Sequence, residues 1–197
     1  MKKGTIITIV VIIILLLIGY RFFAGNYNIM VEKREGVDRQ WAQVETQYQR
    51  RADLIPNLVN TVKGYADFEQ QTLTDVVEAR ANATSINIDA SNLNSETLSQ
   101  FQAAQGELNG ALSRLLVTVE RYPDLKANQN FLDLQAQLEG TENRIQVARD
   151  RYNETARDLN TFIKQFPRNM LAGMYGFDEY PYFTSDQGAE KAPEVNF

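Results

Sequence analysis

Glu69, Glu120 and Glu142 lie near apolar helix faces, and carboxylates in that setting could bridge a pair of metal ions inside a helical bundle. Such centres also draw on Glu-x-x-His ligands, and the chain has no histidine and no cysteine. Those absences remove histidine general bases, thiol nucleophiles, most zinc sites and every disulfide, and they leave the redox compartment unread. Neither Ser-x-x-Lys nor Gly-x-Ser-x-Gly occurs, nor any glycine loop able to cradle a phosphate. No catalytic, cofactor-binding or metal-ligating residue is therefore assigned, no cofactor is expected, and the chain reads as non-enzymatic.

The other polar groups beside the apolar stripes are asparagines and arginines: Arg51, Asn57, Asn60, Arg80, Asn109, Arg114, Asn128, Asn143, Arg144, Arg149 and Asn160. One reading leaves them solvated or half-buried against turns and carboxylates. The other turns several inward as a polar network that fixes helix register. A concave pocket lined by several of Arg51, Arg80, Arg114, Arg144 and Arg149 would instead indicate a small ligand.

The elements that must position these groups are helical, because apolar residues from Asn26 onward recur at spacings of three and four. Met30, Val37, Trp41, Val44, Tyr48 and Ile55 form a first face, with Arg34 and Arg51 at the two remaining heptad positions. Asp53 to Pro56 reads as a restart, since proline is tolerated in a first turn and breaks a helix interior. A second helix then runs to about Ala83, burying Leu58, Val62, Tyr65, Leu73 and Val76 or Val77. Thr84–Asn94, rich in Ser, Asn and Asp, is the longest connection.

Ser95 is expected to cap a third helix with the stripe Leu98, Phe101, Ala104, Leu108, Ala111, Leu112, Leu115, Leu116 and Val119. Gly106 and Gly110, with Ala103 and Ala111, offer either a close-approach face or two tolerated surface glycines. Tyr122-Pro123 stops this helix. The last helix carries Phe131, Leu134, Leu138, Ile145, Ala148, Tyr152, Leu159, Ile163 and Phe166, and Pro167 ends it. Four long helices with short turns give an up-and-down antiparallel bundle roughly 40 Å long. The tail from Arg168 is too aromatic for disorder. It either packs over one end of the bundle or presents an aromatic surface to a partner or to lipid headgroups.

Ahead of the bundle, Ile6 to Ile18 is apolar except for Thr8, and Thr5 to Ala24 carries Arg21 as its one charge. Twenty helical residues span roughly 30 Å, a bilayer's hydrocarbon core. Tyr20, Arg21, Phe22 and Phe23 read as an interfacial belt with the arginine snorkelling. Cleavage after Ala24 or Gly25 would put Phe22 or Phe23 three residues before the cut, so retention as an anchor is expected over a signal peptide. Without cysteine a lipoprotein is excluded. The organisation expected is an anchor over 1–25, a four-helix bundle over 26–167 and an aromatic-rich tail over 168–197, all-α throughout. Lys2, Lys3 and Arg21 take three of the 20 basic residues, leaving 17 against 25 acidic groups, a net charge of −8 that argues against nucleic acid. The short basic start before the Ile/Leu run favours an exported domain, with the cytoplasmic side open.

Several longer motifs resemble the LemA family. They are the anchor followed by Tyr27-Asn28, the run from Arg51 to Val59, Val62-Lys-Gly-Tyr65 and Glu78-Ala-Arg80. Leu112 to Leu116, Glu120 to Asn128, Asn130-Phe131, Glu142 to Ile145, Ala148-Arg149, Tyr152-Asn153, Ala192-Pro193 and Phe197 continue the match. It covers nearly the whole chain after the anchor and departs only in the composition of the anchor and of Thr84–Asn94. The resemblance implies a bacterial single-pass plasma-membrane protein with a long-helix bundle and no catalytic residues to transfer. A relative associated with magnetosome membranes implies a membrane-organising role. The function expected is a membrane-anchored scaffold or adaptor of the cell envelope. Its partners are the bilayer and another membrane or envelope protein, and a homo-oligomer stays open. An enzyme or small-ligand receptor with a site in the bundle's polar interior is the alternative.

Overall fold

The computed structural model describes residues 3–64 and 69–184, which form six α-helices and no strand. Tyr65, Ala192, Pro193 and Phe197 lie outside the described residues. The first helix, α1 (Lys3–Lys63), is one uninterrupted rod of 61 residues through both the apolar segment and the bundle. Residues 6–18 are all exposed, and this part of α1 is long and apolar enough to cross a membrane.

The expected restart at Asp53 does not occur. Pro56 sits inside α1. It has no N–H to give the carbonyl of Ala52 one turn back, and Arg80 Nε donates to that carbonyl instead at 2.7 Å. Asp53 caps nothing and accepts from Gln49 Nε2 at 2.8 Å along the helix surface.

The remaining helices are α2 (Gln70–Ser85), α3 (Ser95–Val119), α4 (Pro123–Lys126), α5 (Gln129–Lys164) and α6 (Arg168–Tyr175), with a 3-10 turn at Ala90–Asn92. Asn94, not Ser95, caps α3: its side chain accepts from Glu96 N and Thr97 N, and Thr97 Oγ1 accepts from Asn94 N in return. Pro123 opens only the single turn of α4, and α5 begins where Asn128 Oδ1 accepts from Phe131 N at 3.1 Å.

The helix α5 runs antiparallel along α1, in a register fixed by Lys33–Asp158 and Arg51–Glu142. The hairpin of α2 and α3 covers the far end of this pair, tied by Asn82 Nδ2 donating to Glu107 Oε2 at 2.9 Å. With 36 residues α5 is about 54 Å long, beyond the 40 Å expected, whereas α2 with 16 residues is about 24 Å. The hairpin therefore stops short of the anchor end, where the tail takes its place.

Two apolar clusters result. Far from the anchor, Ile55, Leu58, Val62, Leu73, Val76, Leu108, Leu115, Leu125 and Phe131 pack together. Nearer the anchor, Met30, Val37, Trp41, Val44, Phe101, Tyr152, Leu159, Phe177 and Phe183 do so. Ile88 and Leu93, from the expected polar loop, are buried there too, and the Ile88 carbonyl accepts from Trp41 Nε1 at 3.0 Å. Trp41 lies 5.6 Å from Phe101, 5.8 Å from Tyr152 and 6.1 Å from Phe183, ring to ring. Each such buried side chain contributes roughly 1.5 to 3 kcal/mol, so the tail is part of the core.

Of the expected stripes, Val76 is buried and Val77 exposed, while Leu116, Leu134 and Leu138 are half-buried. Phe166 is 81% exposed, because the helix ends at Lys164 before the period can turn it inward. A Cβ on Gly106 would meet nothing within 4 Å, so no helix approaches that face.

Candidate functional site

Between the two apolar clusters the bundle carries a polar layer centred on Arg51, which is only 3% exposed. Its Nη1 donates to Glu142 Oε2 at 2.8 Å, its Nη2 to Gln105 Oε1 at 2.6 Å, and the guanidinium lies over the Tyr48 ring. Gln105 Nε2 in turn donates to the Ala83 carbonyl at 3.3 Å. One arginine on α1 thus engages α5 and α3 directly and α2 through Gln105. Buried Thr141, beside Glu142 on α5, satisfies its hydroxyl on the Gln137 carbonyl. Sliding any helix by one turn would break this set and leave a buried charge uncompensated.

A second polar arrangement lies along α5 toward the anchor. Asn160 Nδ2 donates to the Tyr180 carbonyl at 2.8 Å while its Oδ1 accepts from Tyr180 N at 3.0 Å. Two turns earlier Asn153 does the same to Phe183, at 3.0 and 2.8 Å. Each amide replaces the strand partner that extended backbone would otherwise need. Tyr152 Oη donates to the Pro181 carbonyl at 2.9 Å and Arg149 Nη2 to the Thr184 carbonyl at 3.0 Å. Tyr180 Oη donates to Asp38 Oδ1 at 2.8 Å, which closes the clasp onto α1. Burial and the Asp38 carboxylate both hold the Tyr180 phenol above its ordinary range, and burial does the same for Tyr152.

The arginines singled out in the sequence go to separate places. Arg51 enters the polar layer, Arg80 serves the Ala52 carbonyl, and Arg149 holds the tail and stacks on Phe183. Arg144 lines an outer groove with Gln40, Gln43, Gln47 and Arg151, and Arg114 is exposed beside Gly110. The three glutamates are equally dispersed: Glu69 pairs with Arg121, Glu120 with Lys126 and Glu142 with Arg51. Of the flagged asparagines, Asn160 clasps the tail and Asn128 caps α5, while Asn57, Asn60, Asn109 and Asn143 are exposed. Asn153 was legible only as part of a motif, although its seven-residue spacing from Asn160 puts both amides on one face of α5.

A concavity of about 190 Å³ opens between α1, α2 and α3, lined by Glu45, Tyr48, Gln49, Ala83, Asn87 and Gln105. Burial raises the Glu45 carboxyl above the ordinary 4.5, with the nearby Asp89 adding to the effect.

The model of the LemA family matches residues 40–197. Protein LemA of Metamycoplasma hominis is 25% identical over 153 residues, which cover 78% of this chain and 66% of that protein. Magnetosome protein MamQ 2 of Paramagnetospirillum magneticum is 25% identical over 177 residues, covering 80% and 64%. Magnetosome protein MamQ of Magnetospirillum gryphiswaldense is 24% identical with the same coverage. The chain spans just under two thirds of the length of these relatives.

Proposed function

The chain belongs to the LemA family, and on that premise we propose that it is a non-enzymatic, membrane-anchored scaffold or adaptor of the bacterial plasma membrane. The observation that carries this reading is α1, which passes without a break from the exposed apolar segment into the bundle. A rod of that kind holds the bundle at a fixed distance and orientation from the bilayer, which suits a device for placing a partner. The magnetosome proteins among the relatives agree with an organising role at a membrane. Against a ligand site in the polar interior stand the contacts of Arg51, whose two terminal nitrogens are both engaged by neighbouring helices.

The partner is a membrane or envelope protein, and the exported side is the proposed location of the bundle. Because the chain has no cysteine, single-cysteine variants report both properties cleanly. A membrane-impermeant maleimide applied to intact cells should label Val117→Cys, on the exposed surface of α3. Labelling only after lysis would place the bundle inside. A photo-crosslinker at Val117, Leu132 or Val147 in native membranes should give one reproducible heterotypic adduct from at least one site. Adducts to lipid or to nothing at all three would contradict the adaptor reading.

A further inference from the structure

At the anchor end the bundle exposes three apolar side chains at a spacing of four: Phe166, Met170 and Met174, which are 81%, 67% and 63% exposed. Met170 and Met174 belong to α6, and Phe166 precedes its first residue. The opposite face of α6 is buried through Leu171 and Ala172. Soluble surfaces tolerate isolated exposed apolar groups, but Met170 and Met174 side by side on α6, with Phe166 just ahead of it, mark a contact surface.

The position of α6 identifies what that surface meets. Arg168, its first residue, donates Nε to Asn26 Oδ1 at 3.1 Å, and Tyr175, its last, lies 5.0 Å from the Tyr27 ring. Both ends of an eight-residue helix, about 10 Å apart, thus contact adjacent residues of α1. These contacts place α6 beside the start of the bundle, and the carbonyl of its C-cap Gly176 accepts from Arg34 Nη2 at 3.0 Å, two turns further along α1. Asn26 and Tyr27 lie two to three residues beyond Ala24, where the apolar span ends. Phe166 lies just past the end of α5 and two residues before α6, at the same end of the bundle.

We propose that α6 is an interfacial helix, with Phe166, Met170 and Met174 seated in the headgroup and acyl boundary of the same leaflet from which α1 emerges. The occupant of this face is lipid. It continues the apolar surface of the anchor: Leu171 and Ala172 pack into the bundle's apolar cluster with Met30 and Ile163, and the face of α6 carrying Met170 and Met174 is turned away from that core. Amphipathic helices of this kind sit about 5 to 10 Å into that boundary. Arg21, on α1 just ahead of Ala24, supplies a cation for lipid phosphate. The consequence is a second attachment point that fixes the bundle's tilt, which a single spanning helix leaves free.

The inference rests on α1 being an anchor, and one experiment separates the two. Spin labels are placed singly at Leu15→Cys, Phe166→Cys, Met170→Cys, Met174→Cys and Val117→Cys in the full chain, reconstituted in vesicles of phosphatidylethanolamine and phosphatidylglycerol. Collision with oxygen against collision with a water-soluble nickel chelate reads depth. Expected is a deep label at 15, labels of intermediate depth at 166, 170 and 174, and an aqueous label at 117, with helicity unchanged. Labels at 170 and 174 that match 117 while 15 is deep overturn the interfacial helix alone. Labels there shielded from both reagents overturn it too, since protein then covers the face. An aqueous label at 15 overturns the anchor and the interfacial helix together. A double change Met170→Ser with Met174→Ser, which leaves Leu171 and Ala172 in place, should move the 166 label several-fold toward the nickel reagent, and no movement contradicts the proposal.

Discussion

Arg80 Nε donates to the carbonyl of Ala52 at 2.7 Å, the acceptor that Pro56 cannot serve. An arginine on α2 thereby repairs the one backbone gap in the 61-residue helix that joins the membrane segment to the bundle. The two residues are coupled through a third, and this makes the repair measurable.

Arg80→Ala should lower stability by about 1 to 3 kcal/mol in the native chain, because a part-buried carbonyl loses its donor. In a Pro56→Ala background the restored N–H can serve Ala52, so the same change should cost appreciably less. Denaturant melts of the two single variants and the double variant test this. Strict additivity would mean that the arginine does not compensate for the proline.

Arg51→Ala should be the most damaging polar change in the bundle, costing about 3 kcal/mol, the low end for a broken buried pair. The low end applies because the Glu142 side chain is 40% exposed and water screens part of its charge. Glu142→Gln keeps an acceptor for Arg51 and should cost about 1 kcal/mol. Equal melting temperatures for the two variants would remove the register role of the polar layer.

The stripes of α3 and α5 were legible in the sequence because Leu98, Phe101, Leu108 and Leu115, or Ile145, Tyr152 and Leu159, repeat on the helical period and the period alone buries them. The continuity of α1 was not, since the proline rule is local while its remedy arrives from α2, 24 residues beyond Pro56. Phe166 extends the period of α5 on paper, but the chain turns at Gln165–Pro167 and the ring is left outside. Ile88 and Leu93 were hidden within a polar stretch and carry no period of their own. The clasp eluded pattern reading for a different reason: Asn153 and Asn160 bind backbone, and backbone has no sequence signature.

Asn160→Ala removes a donor and an acceptor from the Tyr180 backbone at once. Hydrogen exchange at the Tyr180 and Phe183 amides should accelerate by at least about tenfold, the equivalent of 1.4 kcal/mol, while amides within α3 stay protected. Unchanged exchange at Tyr180 would show that aromatic packing alone holds the tail.

Glu45→Gln should raise stability at neutral pH. Burial raises the folded-state pKa of Glu45 above the ordinary 4.5, so the folded protein holds this proton more tightly than the unfolded chain. Stability is therefore lost as pH rises from the unfolded value through the folded one, and the charged form carries the penalty at neutral pH. The advantage of the glutamine should shrink as the pH falls below about 4.5. A benefit that persists undiminished in acid would assign it to something other than ionisation.

One continuous helix, α1, joins the apolar segment to the bundle. Spin labels at Tyr20→Cys and Asn60→Cys, both exposed and 40 residues apart on α1, bracket the junction and Pro56 together. In the full chain reconstituted in lipid nanodiscs, dipolar spectroscopy should return a single narrow distance distribution centred near about 60 Å, the length of an unbroken helix. A broad distribution, or a mean well below that length, would show a hinge between anchor and bundle and contradict the rigid scaffold.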